Sequence, residues 1–140
     1  VLVVAAMSSF AQCLFGLAGE GGLSRYRLLP LRGWQLLLAK DAAFLAVMIP
    51  LPLGLAPLAG LGGALMALAV GHAPAVEHPR DQTRWRFSTG GALGNGVVQM
   101  VGIAMTVTGI YSTSLWFLPL AVAVWSVSVW WYGRELERKL

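Results

Sequence analysis

Among the residue types able to do acid–base or metal chemistry, the densest group lies in "HAPAVEHPRD", which brings His72, Glu77, His78 and Asp81 close together in sequence. Histidine with carboxylate is the ligand vocabulary of zinc and related ions. The group lacks the His-Glu-x-x-His spacing that sets two ligands on one helical face, and Pro79 pushes His78 away from the helical region. It therefore reads first as a solvated loop that binds no metal. A membrane-embedded hydrolase around His72, Glu77 and His78 is the minor reading. No Ser/His/Asp nucleophile arrangement is readable from spacing.

The stretch "GGALGNG", Gly90 to Gly96, lacks the third glycine of a dinucleotide fingerprint, a preceding strand signal, and the Lys-Ser or Lys-Thr that closes a phosphate loop. Small residues a helical turn apart, such as Gly90 and Gly94, instead suit the close approach of two membrane helices. Nucleotide chemistry is thus expected on another chain. The polar residues inside apolar runs are Gln12, Asn95 and Gln99. They either line a substrate path or tie helices together, and the second role needs no substrate. On this reading no Asp, Glu, Lys or Arg lies inside an apolar run away from its ends, which argues against coupling to protons or sodium.

The chain that must position these residues has the composition of a membrane protein. It is 57% hydrophobic and 11% charged, against about 25% charged in an ordinary soluble domain. An apolar run of about 18 residues or more crosses a hydrocarbon core of about 30 Å as a helix. The expected fold is all-helical, a bundle with spans at about 1–18, 34–55, 58–75, 90–110 and 115–132 and cytoplasmic segments at 19–33, 76–89 and 133–140. The run from Ala42 to Gly71 would be about 45 Å long as one straight helix, too long for one crossing. The prolines and glycines of "PLPLGLAPLAGLGG" place a hairpin turn inside it.

Charge agrees with five spans. The net charge is +4, and the positive residues cluster at the ends of apolar runs, in Arg25–Arg32, Arg80–Arg86 and Arg134–Lys139. With five spans all three clusters face one compartment, as the positive-inside rule requires, and nucleic acid is not needed to explain them. Trp34, Trp130, Trp131 and Tyr132 fall at cytoplasmic ends and Tyr111 and Trp116 at the outer turn, whereas Trp125 falls mid-span without such a reason. The single cysteine, Cys13, has no partner for an internal disulfide. The opening "VLVVAAMSSF" has neither an initiator Met nor a basic leader region, so the chain is expected to be the C-terminal part of a longer protein.

The segment "RYRLLPLRGWQLLLAKD" joins the first two spans. Ser24 is placed to cap a short helix that ends at Leu29, because the residue before Pro30 is driven out of the α region. Leu23 and Tyr26 would rest on the membrane surface while Arg25 and Arg27 face water or lipid phosphate, and Trp34 and Lys40 would mark the interface. By physics alone such a segment is equally a lever for a cytoplasmic partner and a basic loop bound to anionic lipid.

The order of residues in Phe15 to Ala43, "FGLAGEGGLSRYRLLPLRGWQLLLAKDAA", resembles the segment between the second and third spans of type-two ABC exporter permeases. Glu20, Gly22, Leu28, Leu29, Pro30, Leu37 and Lys40 occupy the matching positions. The resemblance implies a permease subunit in a bacterial cytoplasmic membrane, with its C-terminus cytoplasmic. It implies a second permease half, an ABC ATPase subunit that binds the ATP, and no cofactor on this chain. Glu20, Arg25, Arg27, Leu29 and Pro30 would then carry coupling to the ATPase. Two features depart from the family: a first span is missing, and "IYSTSLW" is too short for the extracellular hairpin many members carry. The alternative reading is a non-transporting multi-span protein that assembles with partners through small-residue faces.

Overall fold

The computed structural model describes residues 1, 3–4, 11, 31–50, 56–77, 92–112 and 115–139. Among them every regular element is helical: α1 Gly33–Met48, α2 Pro57–Glu77, α3 Ala92–Ser112 and α4 Phe117–Lys139. Most of the expected first span lies outside the described residues, as do Gln12 and the coupling residues Glu20, Arg25, Arg27, Leu29 and Pro30.

Local sequence sets the helix ends. Arg32 is extended, and its N–H is taken by the Gln35 side chain at 2.9 Å while its carbonyl accepts the first helical N–H groups. That is the reaching-back half of a capping box. Helix α1 stops at Met48 rather than near residue 55, because Pro50 and Pro52 lack the N–H groups a further turn would need. Pro57 opens α2 at a first-turn position, where its missing N–H costs nothing. Pro119 sits in the first turn of α4 for the same reason.

Helix α4 does not end near residue 132. It continues to Lys139, so the expected charged tail is two further helical turns with Gly133 and Leu136 buried. Packing explains the extension. Gly33 and Gly133 lie so close that a Cβ on Gly33 would strike the Gly133 carbonyl, and one on Gly133 would come within 2.8 Å of Trp34 Cβ. The Gly33 N–H, an orphan donor of the first turn, is met by Glu137 Oε1 at 3.1 Å. At the same end Lys139 Nζ donates to the Val76 carbonyl at 2.9 Å, closing the last turn of α2.

Helix α2 is the central element, packed along both α3 and α4, while α1 lies mainly on α4. Gly62 and Gly63 face Ile110 and Val107 of α3 at distances only glycine allows, and Gly102 faces Met66. Among the described residues the glycine contact expected at Gly94 is not seen: a Cβ there, or on Gly96, would meet none of them within 4 Å. Two apolar clusters result. One holds Val4, Ala11, Phe44, Met48, Ala64, Ala67, Leu68 and Ile103, and the other Leu37, Ala75, Val76 and Leu136.

Among the described residues one helix, over Pro57–Val76, is long and apolar enough to cross a membrane. Helix α1 has 16 residues, α3 is diluted by Asn95, Gln99 and two threonines, and α4 carries its charged end. The described helices therefore establish an all-helical bundle but not five separate spans.

Candidate functional site

A layer of polar side chains lies between the two apolar clusters. Along α1 the inward stripe is Leu37, Asp41, Phe44 and Met48, and along α2 it is Leu68, His72, Ala75 and Val76. Helix α4 adds Trp125, Ser128, Tyr132 and Leu136. The spacing of three and four residues keeps each stripe on one helix face. The α1 and α2 stripes each carry one polar member, and α4 brings Trp125 and Ser128 to the same level.

The geometry is specific. His72 Nε2 lies 3.1 Å from both Asp41 oxygens, and His72 Nδ1 lies 2.9 Å from Ser128 Oγ. Trp125 Nε1–H donates to Asp41 Oδ2 at 2.7 Å, and the Ser128 hydroxyl reaches the Ala69 carbonyl at 2.7 Å. Asp41 is 1% exposed, His72 0% and Ser128 8%. The Tyr132 ring stands 6.4 Å from the imidazole, centre to centre. Among the described residues every buried side-chain nitrogen and oxygen has a hydrogen-bond partner. A fully partnered set of this kind holds its helices in one register.

This layer corrects several expectations. His72 is not in a loop: α2 runs through it to Glu77, and both ring nitrogens are engaged by α1 and α4. His78 and Asp81 lie outside the described residues. Asp41, covered by the expectation that no charged residue lies inside an apolar run away from its ends, is an inward carboxylate about 12 Å along α1 from Gly33. The bundle thus does hold an ionisable pair away from its helix ends. Lys40 is also buried, at 7% exposure, and donates to the Ala11 carbonyl rather than marking a surface. Trp125 has its reason, as a donor to Asp41.

Of the other candidates, Gln99 is buried and its side-chain N–H donates to the Ala67 carbonyl at 2.7 Å, a tie between α3 and α2. Asn95, one helical turn earlier, is half-buried on α3.

Asp41, His72 and Ser128 together carry the residue types of a hydrolytic triad, which spacing alone did not reveal. Acyl transfer is nonetheless poorly served. The Ser128 hydroxyl faces the Ala69 carbonyl, and an oxyanion forming there would meet an acceptor instead of the N–H donors it needs. What the arrangement does is tie α1, α2 and α4 together through one partnered polar set.

A cleft of about 500 Å³ opens where α1 begins, lined by Leu31, Arg32, Trp34, Trp130, Arg134 and Glu137. The Arg134 guanidinium lies 4.1 Å from the centre of the Trp130 ring. No protein-family profile, no curated protein and no solved structure matches the chain.

Proposed function

We propose that the chain is a membrane-spanning permease subunit of an ATP-driven exporter, in a bacterial cytoplasmic membrane, paired with a second permease half and a separate ATPase. The observation that carries the membrane part is the inverted polarity of the bundle. Asp41, His72, Gln99, Thr106 and Ser128 are buried, whereas Val97, Val101 and Met105 of α3 and Leu120, Val124, Val127 and Trp131 of α4 are exposed. An outward stripe of that kind is unfavourable in water and suited to lipid. The five-span topology remains part of this proposal, with the first span supplied by residues near 1–18 and α1 extended by the turn that follows it.

The exporter part rests on the resemblance of Phe15–Ala43, and the fold adds a mechanical route for it. Helix α1 starts directly after the basic segment and is fastened there to α4 through Gly33, Gly133 and Glu137. A push on residues 20–33 would reach α1 and α4 together rather than the first two spans alone. The test is purification of the full-length protein in mild detergent, mass spectrometry of co-purifying chains, and an ATPase assay. A stoichiometric ATPase that is lost on changing Arg27 and Leu29 to Asp supports the proposal. Recovery of the protein with itself alone, under conditions that preserve other membrane complexes, favours the assembly protein.

A further inference from the structure

The polar layer has a proton count that its geometry makes explicit. The Ala69 carbonyl only accepts, so the contact with Ser128 Oγ uses the single hydroxyl proton. The contact between Ser128 Oγ and His72 Nδ1 then needs a proton on Nδ1. Nε2 faces two carboxyl oxygens, and one proton lies between them and the ring nitrogen. All these contacts hold together when the His72–Asp41 pair carries one proton more than a neutral imidazole beside a carboxylate. With one proton fewer, Nδ1 becomes an acceptor, the Ser128 hydroxyl turns to it, and the bond to Ala69 is given up. We infer that Asp41, His72 and Ser128 form a binding site for one exchangeable proton inside the bundle, whose occupancy decides whether α4 is tied to the α2 backbone at Ala69.

The surroundings suit such a switch. The site joins α1 through Asp41, α2 through His72 and Ala69, and α4 through Ser128 and Trp125. Pro74 lies two residues beyond His72 inside α2, where it removes the backbone N–H that would bond the Val70 carbonyl. A helix missing that bond bends more easily there. The bond to Ala69 spans the turn before the weak point, so losing it frees α2 to bend.

The groups that face the site are few among the described residues. Helix α1 supplies Asp41 and, on the neighbouring position, Lys40, which is turned to the Ala11 carbonyl. Helix α4 supplies the Tyr132 ring besides Ser128 and Trp125. From helix α3, Gln99 approaches α2 at the Ala67 carbonyl and does not titrate. On α2 itself the nearest ionisable residue is Glu77. Asp41 is thus the ionisable partner on the His72 ring among the described residues.

This inference needs neither the ATPase nor transport, so its failure and that of the exporter reading are separate. The test uses the full-length protein with His72 as its sole histidine, His78→Gln included among the changes, in lipid nanodiscs, with ring-15N histidine, followed by NMR across about pH 5 to pH 9. The expected result is a single step in which Nδ1 of His72 changes from protonated to bare while Nε2 keeps its proton. Asp41→Asn should weaken proton affinity about tenfold or more, and Ser128→Ala should shift the midpoint in the same direction by less. A distance label pair across Pro74, on residues 66 and 77, should change at the same pH. Where Asp41→Asn fails to fold, Trp125→Phe removes one donor to the carboxylate and should strengthen proton binding. A ring that shows no step over this range, or a step unmoved by the Asp41, Trp125 and Ser128 substitutions, overturns the inference and leaves a purely structural tie.

Discussion

Removing Asp41 alone should damage this bundle more than removing Asp41 and His72 together. In Asp41→Leu the His72 Nε2–H and the Trp125 Nε1–H both lose their acceptor in a site closed to solvent. Each stranded donor costs about 1–3 kcal/mol, so the expected loss is about 2–6 kcal/mol. In His72→Leu the carboxylate keeps the Trp125 donor only, and an uncompensated buried charge costs about 3–5 kcal/mol. The double variant Asp41→Leu with His72→Leu strands only the Trp125 donor, because Ser128 still has the Ala69 carbonyl. Its loss should fall to about 1–3 kcal/mol, less than either single change. The assay is equilibrium unfolding in mixed micelles followed by circular dichroism, with the pairwise term taken from the full cycle. A single-variant loss under about 1 kcal/mol, or a double variant that loses the sum of the two singles, would refute the reasoning that the layer acts as one partnered unit.

Other outcomes follow from the packing. Gly133→Ala sets a methyl against Trp34 Cβ and backbone, and should destabilise by about 1–3 kcal/mol despite the better helix propensity of alanine. Gly94→Ala, with open space at its Cβ position, should instead stabilise by up to about 1 kcal/mol. Thermal unfolding of the two variants side by side measures both. Glu137→Gln keeps an oxygen for the Gly33 N–H and should change stability little, whereas Glu137→Ala should cost about 0.5–1.5 kcal/mol. On the proposed exporter function, which rests on the sequence resemblance and not on packing, Arg27→Asp with Leu29→Asp should uncouple ATP hydrolysis from transport while membrane insertion, read by carbonate extraction, stays intact.

The helical class and most helix positions were legible, because length of apolar run and proline placement report directly on backbone options. Pro50 and Pro57 bracket the connection between α1, which ends at Met48, and α2, which begins at Pro57. The continuation of α4 past Tyr132 was not legible, since its cause is the Gly33–Gly133 approach, a contact across 100 positions. The polar layer was hidden for a related reason. Asp41 was counted by its distance from the end of an apolar run, which measures depth along a helix but not which way the side chain points, and His72 was grouped with the polar residues that follow it. The stripe Leu37, Asp41, Phe44, Met48 and its counterpart Leu68, His72, Ala75 carried that direction, and testing charged residues for membership of an apolar stripe would have found the site. Gly94 shows the opposite case: its spacing fits a packing motif, but helix pairing is decided by the facing surface, and among the described residues none lies there.

The end of the bundle where α1 begins has a consequence for biogenesis. The N-terminus of α1 is completed by Glu137, the C-terminus of α2 by Lys139, and the imidazole of His72 by Ser128, over separations of 104, 63 and 56 residues. Chains emerge from the ribosome in order, at about 5–20 residues per second. Helices α1 and α2 therefore wait several seconds with these groups unmet until α4 is made. During that interval an insertion factor or chaperone that shields buried polar surface has its substrate, and slowing translation before codon 117 should lengthen the association while hastening it should shorten it.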